Sequence, residues 1–245
     1  MTVAARPILE TQGLSKRFGG VPAVDGVDFR LGEGELRCLI GPNGAGKSTF
    51  FKMITGQLRP TSGRVLFRGA DVTGYEPNRL ARLRIGIKTQ VPSVFDGLAV
   101  RESIRLAARR FRNAAAAARM VEEIMHEMDI EHVANQKVGE LAHGERQRVE
   151  LGMLLASDPE LLLLDEPTAG MTQDETARTA ALIGTMRRRR AVIVVEHDMH
   201  FVGLIAEAVT VFHQGRILME APIREVLGDP RVREVYLGRK ARSHA

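Results

Sequence analysis

Tryptophan is absent from the 245 residues, aromatic side chains make up only 4%, and there is a single cysteine. Each scarcity excludes something. With so few aromatic faces the chain has no stacking platform of the kind that holds single-stranded nucleic acid. One cysteine leaves no disulfide to form within the chain, which fits a reducing compartment. Cys38 lies inside an apolar run and reads as a core side chain, not a reactive thiol. No apolar run reaches the ~18 residues of a membrane-spanning helix. The first residues, Met1-Thr2-Val3-Ala4-Ala5-Arg6-Pro7, lack the ~7–15-residue apolar centre of a secretory signal. Work at a membrane would therefore need a partner to hold the chain there. Charge of one sign is lacking too: 35 basic against 30 acidic side chains leave +5, spread along the chain. That excess singles out neither nucleic acid nor an anionic membrane. The 44% hydrophobic and 27% charged contents are ordinary for a globular protein. The length admits one large domain, or one domain with a subdomain.

What is present is concentrated in Gly41-Pro42-Asn43-Gly44-Ala45-Gly46-Lys47-Ser48-Thr49. This fits G-x-x-x-x-G-K-[ST], the phosphate-binding loop. The run Leu36 to Ile40 reads as the strand that feeds it, and Ser48 to Ile54 as the start of a helix continuing to about Leu58. Glycines let successive N–H groups turn toward phosphate oxygens, and the helix N-terminus adds partial positive charge. Lys47 would reach the β/γ-phosphates and the Ser48 hydroxyl would ligate Mg²⁺. A glycine-rich turn that merely precedes a helix would not need strand, loop and helix in register. The chain is expected to bind a nucleoside triphosphate.

Around this loop the pattern predicts strands over Ile8–Leu14 and Val27–Leu31, with a turn at Phe18-Gly19-Gly20. A turn at Pro60-Thr61-Ser62-Gly63 leads to a strand over Arg64–Phe67. From Val91 the character becomes helical. Ile104, Ala107, Ala108 and Phe111 recur at helical spacing, as do Val121, Ile124, Met125 and Met128. The Ala114–Ala118 run favours helix. From Leu161 strands return: Leu161–Leu164 ending in Asp165, Ala191–Val195 and Val209–His213, with a helix over Glu175–Arg187 and another opening at Ile223–Leu227. Continuous apolar strands alternating with helices predict an α/β fold, a parallel sheet covered on both faces. A helical insertion over roughly 91–155 interrupts it. Arg187 to Arg190 read as a solvated helix C-terminus favoured by the macrodipole.

Two further strand ends carry chemistry. Asp165 closes the four-leucine strand and Glu166 follows at once. In phosphate-loop enzymes an acidic residue there completes the Mg²⁺ site, and the next carboxylate is placed to polarise an attacking water. His197 stands just past Val194-Val195-Glu196. Open α/β sheets bind ligands outside the carboxyl ends of their strands, so Asp165, Glu166 and His197 should converge near the loop. Leu141-Ala142-His143-Gly144-Glu145-Arg146-Gln147 precedes another helix. It reads equally as a cap or as an exposed helix N-terminus that takes phosphate.

Taken in order, these motifs resemble an ATP-binding-cassette (ABC) ATPase subunit over about residues 8 to 238. The order is the phosphate loop, Gln90 in Lys88-Thr89-Gln90-Val91, a signature at 141–147, Asp165-Glu166 and His197. The resemblance implies a P-loop NTPase (RecA-like) parallel-sheet core, about 8–90 and 156–240, with an N-terminal antiparallel β subdomain. It also implies a helical signature subdomain over about 91–155. Phe18 would stack on adenine, Gln90 would sense Mg²⁺ and the γ-phosphate, Glu166 would be the base, and His197 would hold the γ-phosphate and the attacking water. Ser48, Gln90 and Asp165 would form the metal set. ATP would lie between one subunit's phosphate loop and the signature (Ala142, His143, Gly144, Glu145) of a second subunit arranged head to tail. Closure of that pair would move transmembrane permease subunits at the cytoplasmic face of the plasma membrane.

Within the family, Ala169-Gly170-Met171, Glu196-His197-Asp198-Met199 and the closing Asp229 to Gly238 resemble the branched-chain amino acid uptake group. Leu151 to Ala156, Ala169 to Thr172 and Glu175-Thr176 resemble its urea-uptake branch more narrowly. Either implies a periplasmic solute-binding protein and no nucleic acid partner. Export cassettes of the lipopolysaccharide type are similar, and cytosolic non-transport cassettes are a further reading. This chain departs from the usual Leu-Ser-Gly-Gly-Gln signature. Ala142 replaces the serine whose hydroxyl meets the γ-phosphate, His143 the first glycine and Glu145 the glutamine. Losing that hydroxyl would cost roughly 1.5–3 kcal/mol of ATP contact. Thr172 stands where many relatives carry aspartate. A working but slower ATPase is expected.

Overall fold

The computed structural model describes residues 6–90, 94–187 and 190–237. In chain order these form β1 (Leu9–Phe18), β2 (Val21–Leu31), β3 (Leu36–Ile40), α1 (Lys47–Ile54), β4 (Ser62–Phe67), β5 (Ala70–Asp71), α2 (Pro77–Arg82) and β6 (Ile85–Lys88). Then come α3 (Val100–Ala108), α4 (Ala114–Glu127), α5 (His143–Ala156), β7 (Leu161–Asp165), α6 (Gln173–Met186) and β8 (Ala191–Val195). The chain closes with α7 (Met199–Ile205), β9 (Ala208–His213), β10 (Arg216–Pro222), α8 (Ile223–Gly228) and α9 (Pro230–Leu237).

Among the described residues the strands make two sheets. One runs β2-β1-β4-β5 and is antiparallel, while the other runs β10-β9-β3-β8-β7-β6. In the second, β9, β3, β8, β7 and β6 are parallel, and β10 returns antiparallel along β9. The all-parallel expectation fails at that edge. Arg216 and Glu220 keep β10 half exposed and Pro222 ends it, the composition of an edge strand.

The four-leucine strand shows why the middle sheet is buried on both faces. Successive side chains point to opposite sides. Leu161 and Leu163 join the core shared with the antiparallel sheet and α1, while Leu162 and Leu164 join the core under the helices. In β8, Ala191, Ile193 and Val195 go one way, Val192 and Val194 the other. Each such leucine or valine removed from water contributes about 1.5–3 kcal/mol. On the first side Phe50 of α1 meets Phe29 at 5.6 Å and Phe212 at 5.2 Å between ring centres, which clamps the helix behind the loop.

The edges of the predicted elements move. The helix after the loop ends at Ile54, four residues before Leu58, with Thr55 as its C-cap. Phe111 lies beyond α3 and is exposed. The segment at 141–147 does not precede a helix but opens one, since α5 begins at His143. The helices α3 to α5 fall between β6 and β7, neighbouring strands of one sheet. Of the arginine cluster, Arg187 is the C-cap of α6. Arg187 pairs with Glu207 and Arg190 with Asp158, while Arg188, Arg189, Val91 and Gly238 lie outside the described residues.

Candidate functional site

Strand β3 delivers the chain to Gly41, where φ reaches +146°, and Gly46 caps α1 at φ +103°. A side chain would fit at neither place. A Cβ on Gly41 would sit 2.3 Å from the Phe212 carbonyl oxygen, and one on Gly46 would sit 2.6 Å from that of Ala23. The loop is thus wedged between β2 and the β9–β10 turn, where the Gly215 N–H donates to the Ala45 carbonyl at 2.9 Å. Lys47, buried at the first position of α1, curls back so that its ammonium donates to the carbonyls of Gly41 (2.5 Å) and Pro42 (3.2 Å). Burial lowers its pKa, while the charges of Glu166 and Asp165 pull the other way. Asn43, Gly44 and Ser48 are exposed, Pro42 and Thr49 half-buried, and Ala45 is buried under the loop. The open side of the loop therefore presents backbone, the Asn43 side chain and the Ser48 hydroxyl.

Facing Lys47 is the end of β7. Asp165 is 7% exposed, and its pKa is pushed up to about 6, first by burial, then by Glu166, against the pull of Lys52 and Lys88. Its buried Oδ1 has no hydrogen-bond partner among the described residues. An unpaired buried carboxylate is costly, and a hard divalent cation bound by oxygen ligands would relieve it. The donor set of Asp165 and the Ser48 hydroxyl therefore fits Mg²⁺. Glu166 adopts φ +45°, an uncommon backbone for a residue with a side chain and the kind of local strain that clusters at functional sites. Its N–H donates to the Val195 carbonyl at 2.9 Å, and its Oε1 lies 3.2 Å from Nδ1 of His197. Glu196, 1% exposed, ties these segments together. Its Oε1 accepts from the Thr168 hydroxyl at 2.7 Å, and its Oε2 accepts from the N–H of His197 at 3.1 Å. Cys38 is buried, with its pKa raised by burial, so the thiol is an inert core group.

A phosphate-type loop faced by carboxylates and a histidine at neighbouring strand ends agrees with what known proteins show. The profile of the family described as "ABC transporter" matches residues 24–169. The chain belongs to the ABC transporter family. It is 33% identical to the high-affinity branched-chain amino acid transport ATP-binding protein BraF of Pseudomonas aeruginosa, over 96% of this chain and 99% of that one. It is also 33% identical to the hemin import ATP-binding protein HmuV of Nitrobacter winogradskyi, over 94% and 88%. A nucleotide-free ATP-binding cassette from an ABC transporter superposes with a TM-score of 0.82 at 29% identity, covering 94% of this chain and 98% of that one. A cassette in its ADP conformation matches with 0.82 at 29%, covering 96% and 100%. This ABC cassette is an ATP-binding, ATP-hydrolysing subunit, and among its described residues no helix is long and apolar enough to cross a membrane.

The segment at 141–147 is engaged by its own chain. The Nε2 of His143 lies 3.1 Å from the Ala169 carbonyl oxygen, just beyond Glu166. A carbonyl only accepts, so Nε2 carries the hydrogen. Gly144 is buried, and a Cβ there would meet the Glu175 carboxylate at 2.1 Å. Glu145 accepts the Ala142 N–H at 3.3 Å with one oxygen and meets His132 at 2.9 Å with the other. Ala142 is the N-cap of α5 and has no side-chain oxygen to accept a bond. Thr172 does cap: it and Glu175 exchange bonds at the start of α6. Phe18, at the tip of the β1–β2 hairpin, is half exposed with the Lys16 ammonium 5.4 Å from its ring centre. Gln90 is exposed just past β6. Sequence reasoning missed Glu196, Thr168, Lys88 and Glu150. Glu196 gave a faint signal, as a carboxylate directly after a wholly apolar strand.

Proposed function

We propose that this ABC ATPase energises uptake of a small polar solute, a branched-chain amino acid or urea. It would work as one of two cassettes arranged head to tail under transmembrane permease subunits at the cytoplasmic face of the plasma membrane. A periplasmic solute-binding protein would deliver the solute. The named relatives support import, and His143 in the signature favours the urea branch. The core would be 8–90 with 156–240, and 91–155 the signature-bearing subdomain.

The observation that carries the reading is the Glu166–His197 pair facing the Lys47 ammonium across the loop. Loop N–H groups from Gly41 to Thr49 and Lys47 would hold the ATP phosphates, with Phe18 against the adenine. Ser48, Asp165 and Gln90 would hold Mg²⁺, which supplies positive charge at the phosphate oxygens. Glu166, steadied by Nδ1–H of His197, would take a proton from water as its oxygen bonds to the terminal phosphorus and the bond to the departing diphosphate breaks. Ala142, His143, Gly144 and Glu145 would close the site on the partner cassette's ATP.

Glu166→Gln should bind ATP as the parent does while turnover falls about 10²–10⁴-fold, and Lys47→Ala should lose binding itself. Parent-like turnover in Glu166→Gln would remove Glu166 from the chemistry. Reconstitution with the permease, adding leucine or urea with the binding protein, names the solute by which one raises ATP turnover.

A further inference from the structure

His132 meets Glu145 in a contact that has no task in the reading above. Its Nε2 lies 2.9 Å from Oε1 of Glu145, while the other carboxylate oxygen accepts the Ala142 N–H at 3.3 Å. An ionised carboxylate only accepts, so Nε2 carries the hydrogen. His132 stands in a short 3₁₀ turn, Glu131–Val133, between α4 and α5. Its side chain is 56% exposed, that of Glu145 23%. A pair so open to water contributes little to stability. Its place at the start of α5 indicates a different use.

The first turn of a helix leaves its N–H groups without partners inside the helix, and the helix dipole draws anions to that end. At α5 the cap residue Ala142 offers no side-chain oxygen to those groups, and Glu145 is the acidic residue of the first turn. The anion nearest to hand is therefore the chain's own. A glutamate at this position reaches back over the helix start. Free to turn, its carboxylate would cover the neighbouring N–H groups and oppose a phosphate arriving there. Toward α6, Glu145 borders a small cavity of about 90 Å³ with Arg148, Arg178 and Glu175. Glu175 is spent on the Thr172 N–H and hydroxyl at 2.8 and 2.9 Å. Arg148 is turned to Asp129 at 3.1 Å. It is His132 that holds the Glu145 carboxylate.

We infer that His132 is a positioning residue for closure of the cassette pair on ATP: it holds the Glu145 carboxylate between the α4–α5 connection and the Ala142 N–H, leaving the other N–H groups at the start of α5 open to the partner cassette's phosphates. The inference rests on the head-to-tail ATP reading above. Both oxygens of Glu145 are spent, one on Ala142 and one on His132, so its charge does not swing across the helix start.

The test follows dimerisation by sedimentation with and without Mg·ATP, in full-length chains that all carry Glu166→Gln to retain the nucleotide. Adding His132→Ala should raise the dimer dissociation constant about tenfold, since both sites of the dimer lose the restraint. Adding His132→Gln, whose amide N–H stands in for Nε2–H, should leave it within about twofold. Glu145→Gln removes the charge, so in its presence His132→Ala should change dimerisation by less than about twofold. ATP binding to the monomer and the melting temperature should hold throughout, which separates positioning from folding. A His132→Ala chain that dimerises as before, or that weakens as much with Glu145→Gln as without it, overturns the positioning role while ATP-driven dimerisation stands. No ATP-dependent dimer even with His132 and Glu145 intact overturns the head-to-tail reading and this inference with it.

Discussion

Glu196 accepts hydrogen bonds from Thr168 on one side and from the His197 and Asp198 amides on the other. It thereby fixes the spacing between the segment after β7 and the segment after β8. In Glu196→Gln an NH₂ group would face donors on one of those sides, leaving buried groups unpaired at about 1–3 kcal/mol. The expected outcome is a lower melting temperature and a fall in kcat of about tenfold or more with KM for ATP little changed. A variant that melts lower but keeps parental kcat would make Glu196 structural only. Asp165 gives a pH dependence. Its carboxyl is raised from 3.8 to about 6 in the fold, so the folded state holds its proton where the unfolded chain has lost it. This group's stabilising contribution is complete below pH 3.8 and is lost as pH rises through about 6. Metal-free Asp165→Asn should therefore be more stable than the parent at pH 7.5, with the gap closing toward pH 4, read by thermal melts. Mg²⁺ requires the ionised carboxylate, so its affinity in the parent should drop below pH about 6.

At the scale of elements, α5 carries the chain's main departure. An N-cap oxygen accepts one of the unpaired N–H groups of the first turn, and Ala142 has none. Ala142→Ser should act twice. It should raise the melting temperature without nucleotide, a gain of about 0.5–2 kcal/mol, and strengthen ATP-driven dimerisation by restoring the hydroxyl toward phosphate. A higher melting temperature with no gain in dimerisation would confine residue 142 to capping. The same helix marks where the sequence is legible and where it is not. The loop at 41–49, Asp165, Glu166 and His197 stand out because each follows an apolar strand directly, so local spacing reports their place. Lys88 with Glu150, and Thr168 with Glu196, meet only through the parallel order of β6, β7 and β8. No local pattern pairs them. Strand β6 escaped notice because Gly86 and Lys88 interrupt a run of only four residues. Strand β10 escaped because its exposed edge breaks the apolar run.

At the scale of the molecule, the proposed pair makes each ATP site from two chains, the loop of one and the signature of the other. That arrangement has a consequence no single-chain site shares. Lys47→Ala disables the loop and spares the signature. Ala142→Asp does the reverse: aspartate is a favoured N-cap, so α5 keeps its start, while its charge repels the partner's phosphates. Each variant alone should be inactive, since both sites of its dimer carry a lesion. In a mixed dimer one site unites the two lesions and the other unites an intact loop with an intact signature. Equal mixing gives half mixed dimers with one working site of two, so turnover should return to at most about a quarter of the parent's. The readout is phosphate release after the two purified variants are combined, with each variant diluted into itself as the control. A mixture as silent as its components would mean that each chain completes its own site, and the head-to-tail arrangement would fall.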